Sequence, residues 1–296
     1  MIHPQFDPVA LSIGPLSLPW FDIGPLSVHW YGLMYLAGFM AGQYLGIWRA
    51  SRDAWRLFTP DQVKDLLFYI VVGIIVGGRV GYVLFYHIDL FFANPLYLFK
   101  VWEGGMSFHG GFLGVAVAVI LFAKHTNKAW FAVGDFVAPL VPPGIFFGRF
   151  GNFWNGELWG RETDVAWGMI FPQIGDGLTR HPSQIYQMMG EGFLLFVVLW
   201  WFSAKPKPRM AVSAMFMIGY GVLRTAAEFF RQPDEHIGYL LGGYLTQGML
   251  LSIPMIVVGG VLMTLAYRNP VFETAPESGK SKKKNKSGQP KKGAKK

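Results

Sequence analysis

The sequence predicts an all-α integral membrane protein with about seven transmembrane helices. Three observations carry that expectation. Hydrophobic residues make up 52% of the 296 positions, charged residues only 15%, and the apolar residues gather in long windows separated by basic or turn-forming stretches. A soluble domain carries about 25% charged residues. A helix rising 1.5 Å per residue needs about 20 apolar residues to cross the hydrocarbon core. Seven windows approach that length: 29–48, 66–86, 106–123, 130–147, 186–203, 211–230 and 245–267.

Residues 1–28 contain no Lys or Arg, so the basic start of a cleavable signal is missing and the first apolar stretch is expected to stay in the membrane. They hold a near-repeat, IGPLSLPW at 13–20 and IGPLSVHW at 23–30. Its Gly, Pro and Trp predict a short turn-rich segment at the outer interface. Residues 29–268 form the expected transmembrane domain. Pro139, Pro142 and Pro143 predict kinks, which neighbouring helices can satisfy. The longest connection, 148–185, is rich in Gly, Trp and Pro, and its aromatic content predicts an ordered loop on the outer, periplasmic side. Residues 269–296 read as a disordered Lys-rich cytoplasmic tail.

Basic residues set the orientation. Nineteen Lys and Arg follow the first, third, fifth and seventh windows, and five (Lys100, Arg149, Arg161, Arg180 and Arg231) lie on the other side. The N-terminus is therefore expected outside and the C-terminus in the cytoplasm. The net charge of +8 is not a nucleic-acid signal, because residues 271–296 alone hold nine Lys and two Glu. That tail is suited to anionic lipid headgroups.

Ionisable residues inside membrane windows are costly and mark function or buried pairing. Arg224 lies about 14 residues into a window that starts inside, roughly 20 Å deep. Glu228 follows at i+4 on the same face. Arg79 reaches a similar depth, and His109 and Tyr31 open windows on the outer side. Arg149 closes the fourth window, with Asn152, Asn155 and Glu157 expected in the loop after it. Asp135 is the exception, near the inner end. Glu103 reads as a solvated loop charge. These groups could simply bind helices to one another, but their shared depth favours a site. Arg forks suit phosphate oxygens, at this depth those of a phospholipid, and a neutral His can accept a proton.

Other chemistries find no support. The chain has no Cys, so it has no thiol nucleophile and no thiolate metal site. No metal-ligand spacing, nucleotide-binding Gly loop or nucleophile elbow is present. Ser107 precedes His109 by two residues without marks of activation.

Four motifs give these residues a context: HWYGLMYLAGF at 29–39, GGMSFHGG at 104–111, GRFGNFWNGELWG at 148–160 and GYGVLRTAAEFFRQPD at 219–234, with RHPSQIYQ at 180–187 as a fifth. With them the chain resembles the bacterial phosphatidylglycerol–prolipoprotein diacylglyceryl transferases from about residue 5 to 268. The resemblance implies transfer of a diacylglyceryl group from phosphatidylglycerol to the lipobox cysteine of a preprolipoprotein. A thioether forms and glycerol 1-phosphate leaves, at the periplasmic face of the inner membrane, without metal or organic cofactor. It implies His109 as candidate base, and Arg149 and Arg224 as the key arginines holding the phosphate. It further implies Tyr31 and Tyr220 as positioning groups, Asn152, Asn155 and Glu157 as shaping the site, Glu228 as orienting Arg224, and Arg231 at the exit or headgroup. His181 matches a motif in which a structural role is equally natural. Trp154, Phe150, Gln187 and the near-repeat depart from the family pattern without touching these positions.

Two other classes compete. A transporter with a polar site near the outer face would show related halves and a midplane site, and no related halves are visible. An intramembrane hydrolase needs an activated Ser or paired Asp, and neither is present.

Overall fold

Helices begin where the sequence supplies an acceptor for the orphan N–H groups of a first turn. In the computed structural model, which describes residues 1–14, 16–18, 21–233, 240 and 245–273, Thr59 Oγ1 accepts the Gln62 N–H at 3.2 Å and the Gln62 side chain accepts the Thr59 N–H at 3.3 Å. This capping box, with Pro60 at the first position, opens a helix. Ser107 caps a second by accepting from Gly110 N–H, and Thr246 caps a third by accepting from Met249 N–H.

The chain order is β1 (Val9–Ile13), β2 (Leu16–Leu18), β3 (Phe21–Ile23), β4 (Leu26–His29), α1 (Trp30–Arg52), α2 (Pro60–Tyr86), α3 (Ile88–Ala93), α4 (Phe108–His125), α5 (Trp130–Val137), α6 (Val141–Asn155), β5 (Met169–Ile170), β6 (Thr179–Arg180), α7 (Ser183–Gln187), α8 (Leu195–Phe202), α9 (Ala211–Glu228) and α10 (Gln247–Arg268). A 3-10 turn, Ala138–Leu140, which holds Pro139, joins α5 to α6. A π-helical turn, Met188–Leu194, joins α7 to α8. The protein is mostly helical. Among the described residues five rods are long and apolar enough to cross a bilayer: 60–86, 108–125, 130–155, 183–202 and 247–268. Helices α1 and α9 overlap the remaining windows. Tyr and Trp side chains and Gln43 in α1, and Ser213, Arg224 and Glu228 in α9, make them more polar.

Two expectations are corrected. Helix α6 continues to Asn155 and ends on Gly156 at φ 67, so Asn152 and Asn155 are helical, and the connection runs over 156–182 rather than 148–185. Within the N-terminal segment β1 pairs with β4 and β2 with β3, so its described residues are not turns alone. The segment after α2 is ordered as α3 and two 3-10 turns, Pro95–Phe99 and Val101–Glu103. Of the Lys-rich tail, only 269–273 lies within the described residues.

Small residues let the rods approach. A Cβ on Gly77 in α2 would stand 2.7 Å from the Cα of Gly114 in α4, and one on Gly38 in α1 would stand 3.0 Å from the Cα of Gly144 in α6. At one end the basic loops are tied to helix termini. Arg49 Nη2 donates to the Trp200 carbonyl at 3.2 Å and to Ser203 Oγ at 2.8 Å. Arg56 Nη2 donates to the Ser203 carbonyl at 2.5 Å. Asp135 has a structural role here. Its Oδ2 accepts the Met210 N–H at 2.7 Å, and its Oδ1 accepts the Ser213 N–H at 2.8 Å and hydroxyl at 2.6 Å. It thus caps α9 from a neighbouring helix. Glu273 meets Arg209 Nε at 2.6 Å.

At the opposite end the 156–182 connection folds against the N-terminal residues. Ile2 bridges Ile170 in parallel, β5 pairs with β6, and Glu162 bridges Arg180. Buried His3 bonds the Phe153 carbonyl through Nε2 at 2.7 Å and stacks on Phe171. Burial lowers the His3 pKa from the usual 6.5.

Asp135→Ala is expected to strip the first turn of α9 of its acceptors and to cost about 2 kcal/mol. Asp135→Asn, which keeps one acceptor, should lose less, and thermal unfolding in detergent distinguishes them. The unfolded chain binds a proton at His3 more readily than the folded one, so docking of residues 1–3 should be intact above pH 6.5 and weaken as pH falls below it. Hydrogen exchange at the Ile170 amide, which donates to the Met1 carbonyl, should accelerate over that window, and His3→Phe should remove the dependence.

Candidate active site

On α6, residues three apart share a face, and the segment 149–157 exploits it. Arg149 Nη1 donates to Asn152 Oδ1 at 3.5 Å, and Asn152 Nδ2 donates to Glu157 Oε1 at 3.0 Å. Asn155 Nδ2 reaches the same oxygen at 3.4 Å. Glu157 is fixed through its backbone, its N–H donating to the Asn152 carbonyl at 3.0 Å and its carbonyl accepting from Gln184 Nε2 at 2.7 Å. The carboxylate therefore sets the amide orientation that presents an oxygen to Arg149.

A second set comes from α9. Arg224 Nη2 meets Glu228 Oε1 at 2.5 Å one turn away. Arg231 Nη1 reaches the same oxygen at 3.5 Å, and Thr246 donates its hydroxyl to Glu228 Oε2 at 2.6 Å. Arg161 closes the end of α9, donating to the Glu228 carbonyl at 3.1 Å and the Arg231 carbonyl at 3.0 Å. Gly160 must lack a side chain, because a Cβ would stand 2.5 Å from both the His181 and Phe230 carbonyl oxygens.

The two sets meet at Glu191, in the π-helical turn. Its side chain has no exposed surface, with Oε2 3.7 Å from Arg149 Nη2 and Oε1 3.8 Å from Arg224 Nη1. These separations are ion-pair rather than hydrogen-bond distances. Neither Glu191 oxygen nor Arg224 Nη1 has a hydrogen-bond partner among the described residues. Three half-buried guanidinium groups and two buried carboxylates thus form one network, in which Arg224 Nη1 has donor capacity to spare.

Arg149 borders a cavity of about 600 Å³. Tyr31, Arg149, Asn152 and Tyr220 line one end. Leu66, Ile70, Val137 and Leu140 line the body, and Gly38, Gly42, Gly144 and Gly148 make room for it. Along α6 the lining runs from Asn152 to Val141, about 16 Å of rise. The space is polar at the head and, Gln43 apart, apolar along the tail.

Residues 19–265 match the family described as prolipoprotein diacylglyceryl transferase. The chain belongs to this family. A phosphatidylglycerol–prolipoprotein diacylglyceryl transferase of Coxiella burnetii is 55% identical over 269 residues, covering 91% of this chain and 98% of the relative. One of Acinetobacter baumannii is 51% identical over 281 residues, covering 94% and 98%.

In this transferase the structure brings Arg149, Asn152, Asn155, Glu157, Arg224, Glu228 and Arg231 into linked sets, with Tyr31 and Tyr220 at the cavity head. Tyr31 bonds Tyr35 Oη at 3.0 Å. His109 stands apart in the first turn of α4, exposed, with its ring edge-on to Phe108, which lines the cavity. Arg79 is also separate, buried and donating to the carbonyls of Leu98, Gly104 and Tyr97 at 3.1, 2.5 and 2.7 Å. It pins the segment after α3 and belongs to the scaffold. His181 bonds Tyr186 Oη at 3.1 Å. Sequence reasoning missed Glu191, although it is the one acidic residue in the 186–203 window, and that isolation was the available signal.

Gly248 lies against the Arg224–Glu228 pair, where a Cβ would stand 2.6 Å from the Glu228 carboxylate. Gly248→Ala should therefore lower the melting temperature and displace Glu228. Gly260→Ala in the same helix, with nothing within 4 Å, should be neutral or slightly stabilising. Thr246→Val, which removes a hydrogen bond to a charged group, should cost about 2 kcal/mol. Equal melting temperatures for the two Ala variants would show that the pair tolerates displacement.

Proposed function

We propose that this transferase moves the sn-1,2-diacylglyceryl group of phosphatidylglycerol to the thiol of a preprolipoprotein lipobox cysteine, the first step of bacterial lipoprotein maturation. One observation carries the proposal: Arg149 and Arg224 arrive from two helices beside Glu191, and the cavity that Arg149 heads is, Gln43 apart, apolar along its length. That is the division of a phospholipid into charged head and acyl tail. The names of the relatives supply the donor and acceptor.

In the proposed step a C–S bond forms between the cysteine sulfur and the terminal glyceryl carbon. The C–O bond from that carbon to phosphate breaks, and glycerol 1-phosphate departs with the electron pair. The phosphate gains one negative charge as the bond breaks, so fixed guanidinium groups hold the transition state more tightly than the bound lipid. Arg149 and Arg224 supply this stabilisation. Glu228 orients Arg224, and Asn152, Asn155 and Glu157 orient Arg149. Tyr31 and Tyr220 position the headgroup, and Arg231 borders the exit. The thiol proton leaves to a base. His109 is assigned that role, supported by its place beside Phe108 at the cavity.

The proposed topology has seven crossings, with the basic end of the bundle cytoplasmic and the Arg–Glu network toward the periplasmic face of the inner membrane. Residues 1–28 lie at the outer interface and the tail from 269 lies in the cytoplasm. A transporter would hold its polar site at the midplane. Here the network lies at the end of α9 opposite the basic loops, which favours catalysis on a headgroup.

Purified protein incubated with phosphatidylglycerol and a lipobox peptide should add one diacylglyceryl mass to the peptide. Arg149→Ala and Arg224→Ala should each reduce the rate by about a hundredfold or more without loss of membrane insertion. Wild-type rate in Arg224→Ala would remove the phosphate role. Wild-type rate in His109→Gln across pH 6 to 9 would remove the base.

A further inference from the structure

The outer strands are not explained by catalysis. In β1 and β4, Leu11 faces Val28, Ser12 faces Ser27 and Ile13 faces Leu26. Directly opposed residues share a face, and alternate residues along a strand return to it. One face therefore carries Leu11, Ile13, Leu26 and Val28, and the other carries Ser12 and Ser27. The apolar four are 54, 45, 55 and 38% exposed. Beyond them β2 pairs with β3 in the register Leu16 with Ile23, Ser17 with Asp22 and Leu18 with Phe21. Asp22 is the one charged residue in 8–28.

The ribbon leaves the body at a fixed level. Strand β4 ends at His29 and α1 begins at Trp30 without a linker. The Trp30 N–H donates to the Pro8 carbonyl at 3.0 Å. Trp30 lies 5.1 Å from Trp154, which stacks on Phe6 at 3.9 Å. Such aromatic groups settle at the boundary between headgroups and acyl chains.

We propose that the two-stranded ribbon of β1 and β4 lies flat on the bilayer, its Leu–Ile–Val face seated on the acyl–headgroup boundary and its serine face toward water. Two constraints fix that depth. A two-stranded hairpin is marginal in water without a surface to cover its apolar side. Its open edges present unpaired N–H and C=O groups, which bars it from the hydrocarbon core. The boundary satisfies both. Ile13 from the first copy of the near-repeat and Leu26 and Val28 from the second meet on this face.

The chain has no Cys, so single-cysteine variants label cleanly. Leu11→Cys, Ile13→Cys, Leu26→Cys and Val28→Cys, each carrying an environment-sensitive fluorophore in phosphatidylglycerol-containing nanodiscs, should show blue-shifted emission. Lipids bearing quenchers near the headgroup should quench them more strongly than lipids quenched at the chain end. Ser12→Cys and Ser27→Cys should remain water-like and unquenched. Water-like emission at all six positions would overturn the proposal. So would blue-shifted emission untouched by lipid-borne quenchers and accompanied by disulfide cross-links between copies, which would assign the face to a second copy of the chain. Transfer activity is not the readout, so the result is independent of the catalytic proposal.

Discussion

Three guanidinium groups stand inside a bundle of apolar helices because two carboxylates stand with them. Removing either partner of a buried ion pair leaves an uncompensated charge, at about 3–5 kcal/mol. Glu228 holds Arg224 and Arg231, and Glu191 lies between Arg224 and Arg149. The supporting structure follows from that need. Thr246, Gly248 and Arg161 all serve the end of α9, and Glu157 fixes the amides beside Arg149. Much of what connects the segments at this end of the bundle is backbone organised around the network.

Much of this was legible in the sequence, for physical reasons. Apolar windows of bilayer length have few options other than helix, since every backbone group must bond internally. Arg224 and Glu228 stand four residues apart, and helical geometry alone makes them neighbours. The glycine runs in α2 and α4 likewise announce close packing. Ion pairs between different helices were harder to see. Arg149 and Glu191 are 42 positions apart, and only the fold brings them together. The same limit misplaced Arg79: depth along a helix follows from counting residues, but direction around it does not. Arg79 faces the carbonyls of Tyr97, Leu98 and Gly104.

The ends of helices were also hard to place. Apolar windows measure hydrocarbon thickness, whereas α6 continues past its window on the strength of its own hydrogen bonds until Gly156 adopts a left-handed φ. Asn152 and Asn155 thereby gain a rigid frame. Asp135 shows the reverse case. A lone acid in an apolar window suggests chemistry by its cost, yet its oxygens are used to begin a neighbouring helix. Among the described residues Glu191 and Glu228 face guanidinium groups whereas Asp135 faces backbone amides, and sequence alone does not separate the two cases.

The π-helical turn at Met188–Leu194 lies where one buried stripe changes character. Gln184, Gln187 and Glu191 are fully buried, and Leu195 and Leu199 continue the stripe beyond the turn, while Phe193, Leu194 and Val197 beside them are exposed. From Gln187 onward the buried positions are spaced by four residues, wider than the 3.6 of a regular α-helix turn, and the widened turn suits that spacing. One bilayer-length element thus contributes to a polar interior up to Glu191 and to an apolar core after it, with the change placed at the carboxylate that joins the arginines.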